Sequence, residues 1–149
     1  MLQHHHRHYM VALRVETFYS HHHRRHYQLV DLKVLNPNGV LAMNPVTVSV
    51  GHTVNCSIIF LDQNGNPMQT TPTPDAAPTW TDAPTPAGAT TFTVGPNGLT
   101  ATDLAVATGT DAISLSLAVS GVSYSATLGV TVSPAPQALT SIQIGSTVV

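Results

Sequence analysis

From Val46 onward the chain alternates apolar with small polar residues, and that period of two constrains the fold more than any other feature. Val46, Val48 and Val50 alternate with Thr47 and Ser49, and Val54 to Leu61 reads as a second strand. Thr79-Trp80-Thr81 is a short strand, and Phe92 and Val94 lead into Gly95-Pro96-Asn97-Gly98, whose Asn-Gly signals a hairpin. Leu99 to Ala107 follows. Ile113, Leu115, Leu117 and Val119 then alternate with Ser114, Ser116 and Ala118, and Tyr124 to Val132 repeats the pattern. Successive side chains of a strand point to opposite faces, so such runs bury one face and wet the other. Strands at roughly 8–12-residue spacing, separated by Gly, Pro and Asn and free of helical stretches, predict an all-β sandwich.

Charge excludes several alternatives. All five basic residues, Arg7, Arg14, Arg24, Arg25 and Lys33, fall in the first 33 positions, together with eight of the nine histidines. Against Glu16 and Asp31, that segment carries a net +3 before any histidine is protonated. From Val34 on, the formal charges are Asp62, Asp75, Asp82, Asp103 and Asp111, a net −5. A body without Lys or Arg cannot neutralise phosphates, which argues against nucleic-acid binding by the sandwich. No run of 18 apolar residues predicts a membrane span. Cys56 is a lone cysteine, so packing must hold the fold without an intrachain disulfide.

The first 33 residues read as a separate arm built from two related segments. His4-His5-His6-Arg7-His8-Tyr9 precedes Met10–Val15, and His21-His22-His23-Arg24-Arg25-His26-Tyr27 precedes Gln28–Val34. Leu13 and Val15, and Leu32 and Val34, alternate with Arg14 and Lys33 as strands do. On an extended strand His4, His6 and His8 share one face, as do His21 and His23, an arrangement that suits Zn, Ni or Cu. Runs of adjacent histidines on a terminal arm are more often solvated, so no resident cofactor is expected. The arm residues His4, His5, His6, Arg7, His8, His21, His22, His23, Arg24, Arg25 and His26 fit an anionic or neighbouring protein surface better.

No set of residues points to catalysis. His52 and Cys56 lack a third orienting group, and a buried structural thiol is the default for a strand cysteine. Asp62-x-Asn64-x-Asn66 opens like a Ca²⁺ loop, but Thr73 stands where a bidentate Glu is needed, so it reads as a turn. Asn55-Cys56-Ser57, a formal glycosylation acceptor, lies inside a strand, and Trp80 reads as core.

These motifs, taken in order, carry a likeness. Val46–Val50 leading to Val54–Leu61, the turn Asp62–Pro67, the Trp80 strand and Val94-Gly95-Pro96-Asn97-Gly98-Leu99-Thr100-Ala101 match one after another. Gly109…Ile113-Ser114-Leu115 and Val122…Val130-Thr131-Val132-Ser133-Pro134 complete the series. Residues 46–133 thereby resemble bacterial immunoglobulin-like domains of group 2, the invasin and intimin type that also occurs in phage structural proteins. The Pro/Thr-rich stretch Thr70–Pro78 and the His-rich arm depart from that pattern. The resemblance implies an immunoglobulin-like sandwich with a binding or structural role and no enzymatic activity.

The resulting division is an arm at 1–33, a sandwich at 34–133, and a linker with a terminal strand at 134–149. In tandem arrays of the resembled domains, a linker like Ser133–Pro136 precedes the next domain. Here Leu139, Ile142 and Ile144 form a lone alternating segment, expected to add to a sheet edge of this chain or a neighbour. The N-terminus reads as lacking a secretory signal, because histidines, Arg14 and Glu16 interrupt any apolar stretch. The expected role is a capsid-decorating or tail-associated virion protein that binds a repeating protein lattice or a host surface, as a homo-oligomer or lattice-bound subunit. An adhesin-type domain of a bacterial cell surface and a His-rich metal binder are the alternatives.

Overall fold

The computed structural model describes residues 9–137 and Gly145, and among them there are strands and turns but no helix. Ten strands run in chain order: β1 (Tyr9–His21), β2 (Arg24–Val34), β3 (Val40–Ala42), β4 (Val46–Ser49), β5 (Thr53–Asp62), β6 (Thr79–Thr81), β7 (Thr90–Val94), β8 (Thr100–Ala105), β9 (Gly109–Val119) and β10 (Val122–Ser133). They form two sheets that pack as a sandwich. One has the order β2-β1-β5-β8-β7; the other has β3-β10-β9-β6, with β4 also on β10.

The period of two becomes burial. Ala101, Asp103 and Ala105 of β8, and Asp111, Ile113, Leu115, Leu117 and Val119 of β9, point inward while the residues between them face out. Val54, Cys56, Ile58 and Phe60 of β5 meet Ala126, Leu128, Val130 and Val132 of β10 in one core. Trp80 lies in that core with its indole N–H donating to the Gly98 carbonyl at 2.8 Å. That bond satisfies the polar edge a buried tryptophan brings with it. Gly98 sits at φ +73° with the Pro78 Cδ 2.9 Å from where a Cβ would stand, so only glycine fits there.

Two irregular segments have direct physical causes. β3 and β4 run parallel to β10, at Ser125–Thr127 and Val130–Ser133, and Pro45 separates them because it has no N–H to give a ladder. The Pro/Thr stretch before β6 is fastened by Asp75, whose carboxylate accepts the Ser120 and Gly121 N–H groups while its own N–H donates to Ala118. The acidic turn at Asp62 is capped by its own side chain, which accepts the N–H groups of Asn64 and Asn66. Turn formation accounts for that Asp-x-Asn-x-Asn spacing.

The N-terminal region departs from its reading as an arm. β1 pairs with β5 from Tyr9–Asp62 to Phe18–Thr53, which makes it an interior strand of its sheet. Val11, Leu13 and Val15 belong to the core. The sandwich therefore begins at Tyr9 among the described residues, before the expected boundary at Val34. The isolated period-two stretch Leu13–Val15 gives no hint of this, because its partner lies some 40 residues downstream. Two charged residues of β2 are structural as well. Lys33 donates to the Ala42 carbonyl and the Asn44 Oδ1, and Asp31 accepts the Asn44 N–H at 2.9 Å.

A core strand and a solvated arm respond differently to truncation. Leu13→Ala should lower unfolding free energy by about 2–5 kcal/mol in urea titrations, as for other buried leucines. Replacing the adjacent exposed Arg14 by Ala should change it by about 0.5 kcal/mol or less. Equal, negligible effects would mean that β1 is not in the core.

Candidate interaction surface

The site follows from how β2 is laid on β1. From the turn, His21–Arg24 to Glu16–Leu29 pair in register; then a bulge leaves Val30 without an opposite residue, and pairing resumes from Val15–Asp31 to Ala12–Val34. Directly opposed residues of an antiparallel pair share a face. Glu16 and Phe18 lie on the outward face, opposite in sense to Val15, so Leu29 and Tyr27 do too. Beyond the bulge, Leu32 opposes Arg14 and Val34 opposes Ala12, again outward. The extra residue thus shifts the alternation by one and brings Arg25, Tyr27, Leu29, Leu32 and Val34 onto one face of one strand.

That row is apolar and open. Tyr27 is 59% exposed, Leu29 53%, Leu32 46% and Val34 43%. β2 is also an edge, since β1 occupies its other side. The remaining edge strands are short: five residues for β7, three each for β3 and β6, and four for β4. Short edges are a usual protection against pairing with other chains, and the 11-residue β2 lacks it. Beside the row, Phe18, Tyr27, Arg25, Asn55, Thr91 and Leu104 help line a shallow depression on the same outward face.

The expected arm residues lie at the end of this ribbon. His21 ends β1, His22 and His23 form the two-residue turn, and Arg24, Arg25 and His26 open β2, all exposed. His22 and His23 have φ of 50° and 62°, as a type I′ hairpin turn requires. The chain therefore reverses between His21 and His23, and the single-face arrangement expected of an extended strand does not form there. Tyr19 is stacked between His26 and His52, with ring centroids 4.6 and 4.5 Å apart, which ties the ribbon to the loop before β5. Among the described residues no three His, Cys, Asp or Glu side chains gather as metal ligands. His4, His5, His6, Arg7 and His8 lie outside the described residues, as do Leu139, Ile142 and Ile144.

Cys56 is buried, and burial, with a smaller contribution from Asp103, pushes its thiol up to about 12. It is held as the neutral thiol, which is a poor nucleophile. The apolar row of β2 is not evident from the sequence alone, because the bulge breaks its period of two. Its signal is the phase change between Tyr27/Leu29 and Leu32/Val34, which marks a bulge only once β1 is known to be the partner. No protein family and no curated protein sequence matches the chain.

The turn makes its own prediction. Positive φ costs an ordinary side chain about 1–2 kcal/mol, whereas Asn and Gly adopt it readily. Replacing His22-His23 by Asn-Gly should raise the melting temperature by about 4 °C, in line with a gain of about 1 kcal/mol. A lower melting temperature would show that the two histidines make contacts that outweigh the backbone strain.

Proposed function

We propose that the protein is a non-enzymatic structural module that joins a larger protein assembly through β2. The observation that carries this reading is the union of a long open sheet edge with an outward row of apolar side chains on the same strand. An edge offers unpaired N–H and C=O groups to an incoming strand, and the side-chain row gives that strand something to bury. The basic turn at one end of the ribbon, on an otherwise acidic body, would orient an acidic partner surface before contact.

We assign the assembly to the virion class, as a capsid-decorating or tail-associated immunoglobulin-like protein. Support comes from the motifs shared with group 2 bacterial immunoglobulin-like domains. The two-sheet arrangement, with β4 parallel to β10 in one sheet and β1, β5, β8 and β7 in the other, is one that an immunoglobulin-like sandwich can take. A cell-surface adhesin domain would use the same edge on a different partner. No helix among the described residues is long and apolar enough to cross a membrane.

The test is a β2 variant in particles assembled in the producing culture. Leu29→Lys/Leu32→Lys should leave the melting curve of the isolated chain nearly unchanged, because both residues are exposed. It should lower incorporation into purified particles at least tenfold, since two charges would enter an apolar contact. Incorporation equal to that of the unaltered chain would refute β2 as the docking strand.

A further inference from the structure

Two carboxyl groups occupy the sandwich interior where the alternation would otherwise place aliphatic side chains. Asp103 on β8 is 1% exposed and Asp111 on β9 is 3% exposed, and these strands belong to opposite sheets. Two like charges confined together in a low-dielectric interior repel strongly, so both cannot remain ionised without a counter-charge. No Lys or Arg follows Lys33, and the described cations Arg14, Arg24, Arg25 and Lys33 all belong to β1 and β2, away from β8. The ring of His52, the sole histidine beyond Val34, is stacked on Tyr19.

The hydrogen bonding of the two groups is unequal. Asp111 accepts the Ala83 N–H at 2.8 Å through Oδ1 and the Thr90 hydroxyl at 3.1 Å through Oδ2. These donors favour its ionised form. Neither oxygen of Asp103 receives a donor of its own, because the Thr90 hydroxyl beside it has its one proton on Asp111. A carboxylate facing a carboxylate finds only an acceptor, but a protonated Asp103 becomes a donor and Asp111 can receive its O–H. Short charge-assisted O–H···O⁻ bonds of this kind are among the stronger ones in proteins.

We propose that Asp103 is protonated in the folded protein and donates to Asp111, forming a single-proton latch between the two sheets that weakens when the proton is lost. The groups that face Asp103 are Asp111 from β9, Asp82 from the segment after β6, Cys56 from β5 and Thr90 from β7. Burial is the main influence on its acidity; the Thr90 hydroxyl opposes it, and Asp111 and Asp82 reinforce it, leaving the group at about 7. An unfolded Asp titrates near the ordinary value of 3.8. The folded state therefore binds more protons than the unfolded state between these two values. The latch contributes fully below about pH 4 and is lost progressively as pH rises to about 7, where the folding equilibrium constant has fallen roughly a thousandfold from this source.

Asp103→Asn is nearly isosteric, and its amide N–H can donate to Asp111 at every pH. The readout is the difference in unfolding free energy between this variant and the unaltered chain, followed by urea titration from pH 4 to pH 8. It should shift in favour of the variant by about a thousandfold in equilibrium constant across that window and then level off. The Asp103 side-chain carboxyl carbon, followed by NMR, should titrate near 7. A difference that stays constant with pH, or an Asp103 resonance that titrates near 4, would overturn the latch. Stabilisation of the unaltered chain at pH 8 by added Ca²⁺, absent in the variant, would also overturn it, by showing that a cation neutralises the pair.

Discussion

The antiparallel pairing of β1 with β5 is the contact on which the rest of the molecule depends. Ten consecutive residue pairs, from Tyr9–Asp62 to Phe18–Thr53, make β1 an interior strand and send Val11, Leu13 and Val15 into the core. With β1 there, β2 becomes the edge, and the turn at His22 and His23 is carried past the end of the sandwich, beyond the last β1–β5 pair. Without it, β5 would be an open edge in the middle of the core, and no disulfide is present to compensate. The protein relies on packed aliphatic side chains and sheet hydrogen bonds, the terms that dominate a domain of this size.

How far the architecture is legible in sequence depends on where the partner of each residue lies. Within β4, β5, β8, β9 and β10 the alternation is regular, and the Gly95–Gly98 and Ser120–Gly121 turns separate neighbouring strands that pair with each other, so these strands and the sandwich follow directly. β1 and β2 carry the same alternation but lie among histidines and arginines, whose composition suggests a solvated arm. Their assignment rests on β5, far along the chain, which local pattern does not reveal. The bulge at Val30 hides the outward row of β2, because a strict period of two puts Leu29 and Leu32 on opposite faces.

Asp103 and Asp111 illustrate the converse case. Their positions in Ala101-Asp103-Ala105 and Asp111-Ile113-Leu115 are inward by the same period of two that identifies the strands. Charged residues are so seldom buried that composition assigns them to the surface by default. Where periodicity and residue type disagree, a specific interaction usually holds the exception, and here it is the meeting of one carboxyl with another. The described cations thus lie on the β1–β2 ribbon while two acidic groups lie between the sheets, so charge is segregated along the fold as well as along the chain.

β1 is held as part of the core, while β2 remains open on one side. Amide hydrogen exchange of the intact protein, resolved over residues 9–34, measures both at once. Ala12 and Arg14, whose amides lie on the β5 side of β1, should exchange only through global unfolding, with protection equal to that of β5 and β9, and the β2 amides that point away from β1 should exchange orders of magnitude faster. Rapid exchange throughout β1 would show that this segment is a detached arm, and the interaction surface described for β2 would not exist.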